Sequence, residues 1–281
     1  MEEVRSKDAS RVQKRQAEQA FGDPTPRATP LSSSHLSFRP TQQGKNIPGL
    51  ISGSTVHITT SGRPPITMSA ITTSSGGSAG IERVYHAKST EECRAAYDEW
   101  AEQFNGDIAL QDYVAPMHVA RALIDAGADI KGEILDAGCG TGLSGVALVN
   151  AGATTMDGID FSEGMLKVAA KTGIYRTLMP VDLSKPIPNT KDESYDILTC
   201  VGTLTHGHVK AVPALREFVR VVRRGGYIAA TILDDIWEVN GYAAEVKSLE
   251  EQGLVKVVST ASKDYRKAAG VSAMILVLRR L

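Results

Sequence analysis

The stretch "EILDAGCGTGLSG", residues 133–145, constrains this chain more than any other. An apolar run ends in Asp136, and glycines follow at 138, 140, 142 and 145. Such a run reads as a short strand turning tightly into a helix, with glycines admitting positive φ and close backbone approach. Strand and helix patterns then alternate. "EILDAG" leads to "SGVALVNAGA", "TTMDGID" to "EGMLKVAAKTG", and "YRTLMPVDL" is a further strand. "SYDILTCVG" leads to "AVPALREFVRVV", and "GGYIAATIL" to "NGYAAEVKSLEEQG". The chain closes with two more strands, "LVKVVSTAS" and "VSAMILVLRR", joined by "KDYRKAAG". Alternation of this kind predicts an α/β fold with a mainly parallel sheet and helices on both faces. The last two strands predict an antiparallel C-terminal edge strand on a sheet of seven.

The upstream chain is different in kind. More than half of residues 22–82 are Gly, Ser, Thr or Pro. Such a stretch buries too little apolar surface to offset its ordering entropy. Residues 1–82 are therefore expected to be a disordered low-complexity extension, and residues 83–281 the folded domain. The first twenty residues could form a charged helix, but they lack a broad apolar face. Met68 opens "MSAITTSSGGSAG", an ordinary start for a shorter protein, and the segment before it is expected to be dispensable for cofactor binding. Past residue 82, "STEECRAAYDEWAEQFN" reads as a helix started by Ser89, with Glu92 in capping-box register. "APMHVARALIDAGAD" reads as another.

Composition excludes several classes. A net charge of −1 gives no electrostatic footprint for nucleic acid or a membrane surface. No apolar run is long enough to span a bilayer. The charged start lacks the apolar core of a secretory signal. Cys93, Cys139 and Cys200 make no disulfide or metal spacing, so a reducing, cytoplasmic compartment is expected.

The glycine turn permits two frames. Gly140 to Gly145 satisfies G-x-G-x-x-G, which by itself suits a dinucleotide. The other frame begins with Asp136 and runs through Gly138, Gly140 and Gly142. A carboxylate at that strand end suits an ammonium group better than a pyrophosphate. The second strand ends in Asp160, whose two oxygens can accept both hydroxyls of a ribose. Phe161 follows and can cover a purine face. The third strand ends near Asp182, able to accept from an exocyclic amine. Acids at three successive strand ends suit an amino-acid ammonium, a ribose diol and an adenine amine. That ligand is S-adenosylmethionine, which has no phosphate.

"EILDAGCGTG", "GIDFSEGML", "MPVDL", "YDILTCVGTLTHG" and "LREFVRVVRRGGYIAAT" together resemble class I S-adenosylmethionine-dependent methyltransferases. With "AAYDEWAEQFNGDIALQDYVAP" upstream, the chain is most similar to the methyltransferase-like proteins named for the Williams–Beuren chromosomal region. The resemblance covers residues 90–281 and implies a Rossmann-like fold. It implies that Asp136 to Gly142 wrap the methionine end, Asp160 the ribose and Phe161 the adenine. Asp182 would bind the adenine amine, with Leu183 supplying a backbone donor. Val201 and Gly202 would flank the methyl, and Tyr97 with Trp100 or Phe104 would close the front. The acceptor is expected to be a small molecule offering oxygen, nitrogen or sulfur, under a lid from residues 90–118 and apolar walls from Trp237 and Tyr242, and a protein substrate stays open.

His206 and His208 follow the fourth strand, where acceptor and methyl would meet, and His206 is the candidate base. No third ligand stands near them, so no metal is expected. Two other readings stay open: a nicotinamide-dependent oxidoreductase, which would need a Tyr-x-x-x-Lys element not found here, and a non-catalytic cofactor-binding protein. The sequence carries no signal of oligomeric state.

Overall fold

A computed structural model describes residues 75–207 and 209–281. The expectations for the first 74 residues and for His208 lie outside the described residues. Three helices come first: α1 (Ala79–Tyr85), α2 (Thr90–Ala109) and α3 (Ala115–Asp125). The expected domain boundary at residue 82 falls inside α1, which buries Ile81 and Val84. Ser89 caps α2 by accepting from the Glu92 amide at 3.1 Å, the start that its sequence predicts.

Strand and helix then alternate: β1 (Glu133–Ala137), α4 (Leu143–Asn150), β2 (Thr155–Asp160), α5 (Glu163–Ala170), β3 (Thr177–Pro180) and β4 (Tyr195–Leu204). They continue with α6 (Ala211–Val221), β5 (Val222–Leu233), α7 (Asp234–Trp237), α8 (Tyr242–Glu251), β6 (Val255–Arg266) and β7 (Val271–Arg280). The sheet order is β3-β2-β1-β4-β5-β7-β6. Neighbours from β3 to β5 pair parallel, and β7 pairs antiparallel with both β5 and β6. The chain winds one way from β1 to β3 and the other way from β4 to β5. Right-handed crossovers therefore put α4 and α5 on one face and α6 on the other.

Two details differ from the sequence expectation. The antiparallel C-terminal strand β7 is not at the edge; it inserts between β5 and β6 and leaves β6 outermost. Its run of buried residues from Ile275 to Leu278 needs cover from a strand on each side. β6 also extends four residues past the expected "LVKVVSTAS", through "KDYR". That extension has no apolar alternation to reveal it. It is held by pairing with β7 as far as Arg266 opposite Val271, and by the Val114 amide donating to the Tyr265 carbonyl at 3.1 Å.

Strand order reverses between β1 and β4, and the turn after β1 lies at that switch point. Asp136 near the end of β1 is fully buried. It accepts hydrogen bonds from Ser144 of α4 at 2.6 Å, Tyr175 before β3 at 2.7 Å and Thr199 of β4 at 2.9 Å. Gly145 lets α4 settle against this cluster, since a Cβ there would lie 2.4 Å from the Tyr175 hydroxyl and 2.8 Å from Ile174 Cδ1. Gly145→Ala should displace Tyr175 and cost about 1–3 kcal/mol of stability, the usual penalty of overpacking. Denaturant unfolding checks this: a lowered midpoint is expected, and an unchanged midpoint contradicts the packing role.

Candidate active site

The turn after β1 is pinned from below and from beside. The Gly138 and Cys139 amides donate to the Ile159 carbonyl at 2.7 and 3.0 Å. The Gly140 amide donates to Asp160 Oδ2 at 2.9 Å, and the Ser162 amide donates to Asp160 Oδ1 at 2.9 Å. Asp160 thus ties the glycine turn to the start of α5. It still has acceptor capacity on both oxygens, because a carboxylate offers about four lone-pair sites. It is 8% exposed, and burial pushes its pKa up to about 6 against the pull of these amides. Ser162, not Asp160, caps α5, accepting from the Met165 amide at 3.1 Å.

The other two acids of the sequence reading are placed differently. Asp136 does not line the cavity. Its three hydroxyl donors come from the protein itself and tie the end of β1 to α4, β4 and the segment before β3. Burial pushes its carboxyl up, and the three hydroxyls pull it back. Asp182 is also outside the cavity wall. It accepts from the Ser184 amide at 2.9 Å and hydroxyl at 2.6 Å, and pairs with Lys185 at 3.1 Å. That makes it a turn former, as Asp commonly is.

Above the turn is a cavity with about 1050 Å³ of empty space, counting its open mouth. Gly138, Gly140, Asp160 and Phe161 line it, as do Leu183, Val201, Gly202 and Tyr97. Gly142, the N-cap of α4, is just outside the wall. Tyr97 meets Phe161 edge-on at 5.7 Å, and Trp100 meets Phe104 edge-on at 4.8 Å, all four facing the cavity. α2 is fastened over the turn by polar contacts. Thr141 donates to Asn105 at 2.6 Å, and Asp98 accepts from the Ser162 hydroxyl at 2.6 Å and the Gly164 amide at 2.8 Å.

His206 lies outside the wall, although Thr205 and Gly207 beside it are in it. Its Nε2 is 2.9 Å from Asp235 Oδ2, and its ring packs on Tyr85 at 5.2 Å. Trp237 and Tyr242 do not line the cavity either. Tyr242 is fully buried and donates to the Val209 carbonyl at 3.0 Å, so it belongs to the core. Sequence reasoning missed Tyr85, Tyr113, Tyr265 and Arg266, which all line the cavity. Tyr85 sits near the expected tail, and Tyr265 and Arg266 sit in the stretch read as a connector. The available signal was three tyrosines and an arginine scattered along the sequence, too common a pattern to single out.

Residues 134–226 match the family described as a methyltransferase domain. Human methyltransferase-like protein 27 is 34% identical over 140 residues, covering 48% of this chain and 55% of that protein. The ubiquinone biosynthesis O-methyltransferase of Pseudomonas syringae pv. tomato is 33% identical over 129 residues, covering 40% of this chain and 51% of that protein. The chain thus spans about half the length of these curated relatives. Among solved structures, a chain of the complex between the Haloferax volcanii Trm112 methyltransferase activator and a methyltransferase aligns with a TM-score of 0.50. That likeness is one of fold, at 17% identity over 66% of this chain and 97% of that one. The methyltransferase-domain match runs from the first sheet strand into the fifth.

Proposed function

We propose that this protein binds S-adenosylmethionine in the cavity above the glycine turn and transfers its methyl group to an oxygen, nitrogen or sulfur of a small molecule. The observation that carries the reading is Asp160. Its buried carboxylate faces the cavity, is fixed by two backbone amides, and keeps acceptor sites for a ribose diol. Phe161 and Tyr97 form an aromatic wall beside it, suited to a purine face. The name of the Pseudomonas relative, an O-methyltransferase of ubiquinone biosynthesis, supports a small-molecule acceptor.

When bound, S-adenosylmethionine supplies a methyl group already activated by its sulfonium. The work left to the chain is alignment and exclusion of water. Effects of this kind are worth roughly 7–11 kcal/mol of barrier in well-oriented reactions. α2 and the aromatic side chains it carries cover the turn from solvent, and the Asp136 cluster keeps the turn from moving. Val201 and Gly202 at the end of β4 form the floor beside the turn. His206 is not in the wall, and this reading asks no proton transfer of it.

Calorimetric titration with S-adenosylmethionine and with NAD tests the reading; binding of NAD alone would overturn it. Asp160→Ala should weaken S-adenosylmethionine binding by about 10–100-fold, since hydrogen bonds to a charged group are worth about 1.5–3 kcal/mol. Unchanged affinity would remove the ribose role. The pH dependence follows from the raised Asp160 pKa, about 6. Ribose hydroxyls need the ionised carboxylate, so affinity should fall about tenfold per unit below that pH. Stability should move the opposite way. The folded state takes up this proton before the unfolded state does, so Asp160 stabilises the free protein below about pH 4 and that contribution is lost as pH rises through 6. Both trends should vanish in Asp160→Asn, and a flat wild-type affinity profile from pH 7 to 5 would contradict the assignment.

A further inference from the structure

Arg266 is 2% exposed and lines the cavity, where it is the one Lys or Arg among the described lining residues. It reaches that place because β6 breaks its own alternation. In a regular strand, consecutive side chains point to opposite faces. The pairing of β6 with β7 shifts register between Asp264 and Arg266, and the consecutive residues Tyr265 and Arg266 are both buried. A bulge of this kind re-aims side chains, and bulges concentrate next to active sites. The backbone is held on its outer side as well. Tyr113 forms an antiparallel bridge with Arg266, and the Lys267 amide donates to the Asp112 carbonyl at 3.0 Å.

Phenols surround the guanidinium. It lies 5.4 Å from the Tyr265 ring centroid, and the Tyr85 hydroxyl accepts from it. Tyr113 and Tyr265 meet edge-on at 5.1 Å. Both phenols reach the end of β4, because a Cβ on Gly202 would lie 2.7 Å from the Tyr113 hydroxyl and 3.3 Å from that of Tyr265. Asp160 and Arg266 come from strands on opposite sides of β4 in the sheet order. The cavity therefore has an acidic pole on β2 and a basic pole on β6. A guanidinium presents a planar fork of donors matched to a carboxylate, and phenol hydroxyls beside it can supply further donors.

We propose that Arg266, flanked by Tyr113 and Tyr265, is a carboxylate-binding subsite of the cavity, and that the methyl acceptor carries that carboxylate. The inference rests on the reading of the cavity as a methyl-transfer site. A carboxylate is also present on the cofactor's amino-acid end, so the experiment separates the two sources.

The probes are benzoate and its neutral isostere benzamide, titrated calorimetrically into full-length protein saturated with S-adenosylhomocysteine. The expected result is at least about tenfold preference for benzoate in the wild type. Arg266→Gln should lose that preference with S-adenosylhomocysteine affinity within about twofold, and Arg266→Lys should keep part of it. If the cofactor is the source, Arg266→Gln instead weakens S-adenosylhomocysteine about tenfold or more. It then leaves 5′-methylthioadenosine, which lacks the carboxylate, unchanged. The subsite is overturned if Arg266→Gln, with an unaltered melting curve, changes neither the benzoate preference nor S-adenosylhomocysteine affinity. Should that variant not fold, the wild-type comparison and Arg266→Lys decide, and absence of any benzoate preference together with unchanged cofactor affinity in Arg266→Lys overturns it. Failure of S-adenosylhomocysteine to bind the wild type would sink the methyl-transfer reading instead, a separate outcome.

Discussion

The buried carboxylate of Asp136 is the interaction on which the rest depends. It gathers hydroxyls from α4, β4 and the turn before β3 around the end of β1. A buried acid is costly unless it is hydrogen-bonded, and three protein hydroxyls occupy three of its about four lone-pair sites here. The result is a rigid support under the glycine turn. Because Tyr175 and Ser144 are both part of it, the depth at which α4 seats on the sheet and the position of the turn are set together. Asp160 is tied to the same turn through the Gly140 amide.

The cavity's roof is attached by a different kind of contact. α1 and α2 bring Val84, Tyr85, Tyr97, Trp100 and Phe104 over the turn, and these pack into their own small apolar cluster. Asp98 and Asn105 of α2 join this roof to α5 and to the turn through short hydrogen bonds. The exposed Lys171–Glu102 pair between the same parts is solvent-screened and adds little. A roof fixed by a few polar contacts and an aromatic cluster can exclude water from a sulfonium, and its attachment is separable from the sheet core.

Much of this was legible in the residues. The alternation of apolar runs with amphipathic stretches dictates a parallel sheet, because each buried strand needs helices to cover it. The cap at Ser89 and the glycine turn were readable for the same reason: their chemistry is local. The protein contacts of the three acids were only half readable. Asp136, Asp160 and Asp182 all stand near strand ends, and periodicity says where a side chain sits along the chain but not what it meets. Asp136 turned inward because hydroxyls from distant segments converge on it. Asp182 was taken by its own neighbours, Ser184 and Lys185. The basic pole was not legible at all. Its position depends on a bulge in β6 and on pairing with residues 112–114, contacts far apart in sequence that leave no repeating pattern.

The proposed function divides labour between two buried acids, with Asp136 supporting the glycine turn and Asp160 meeting the ligand. A crystal structure with S-adenosylmethionine bound tests it most directly. Ribose hydroxyls are expected within hydrogen-bond distance of both Asp160 oxygens, while Asp136 keeps its bonds to Ser144, Tyr175 and Thr199 and touches no ligand atom. A ligand ammonium seated on Asp136, or a ribose placed away from Asp160, would contradict it.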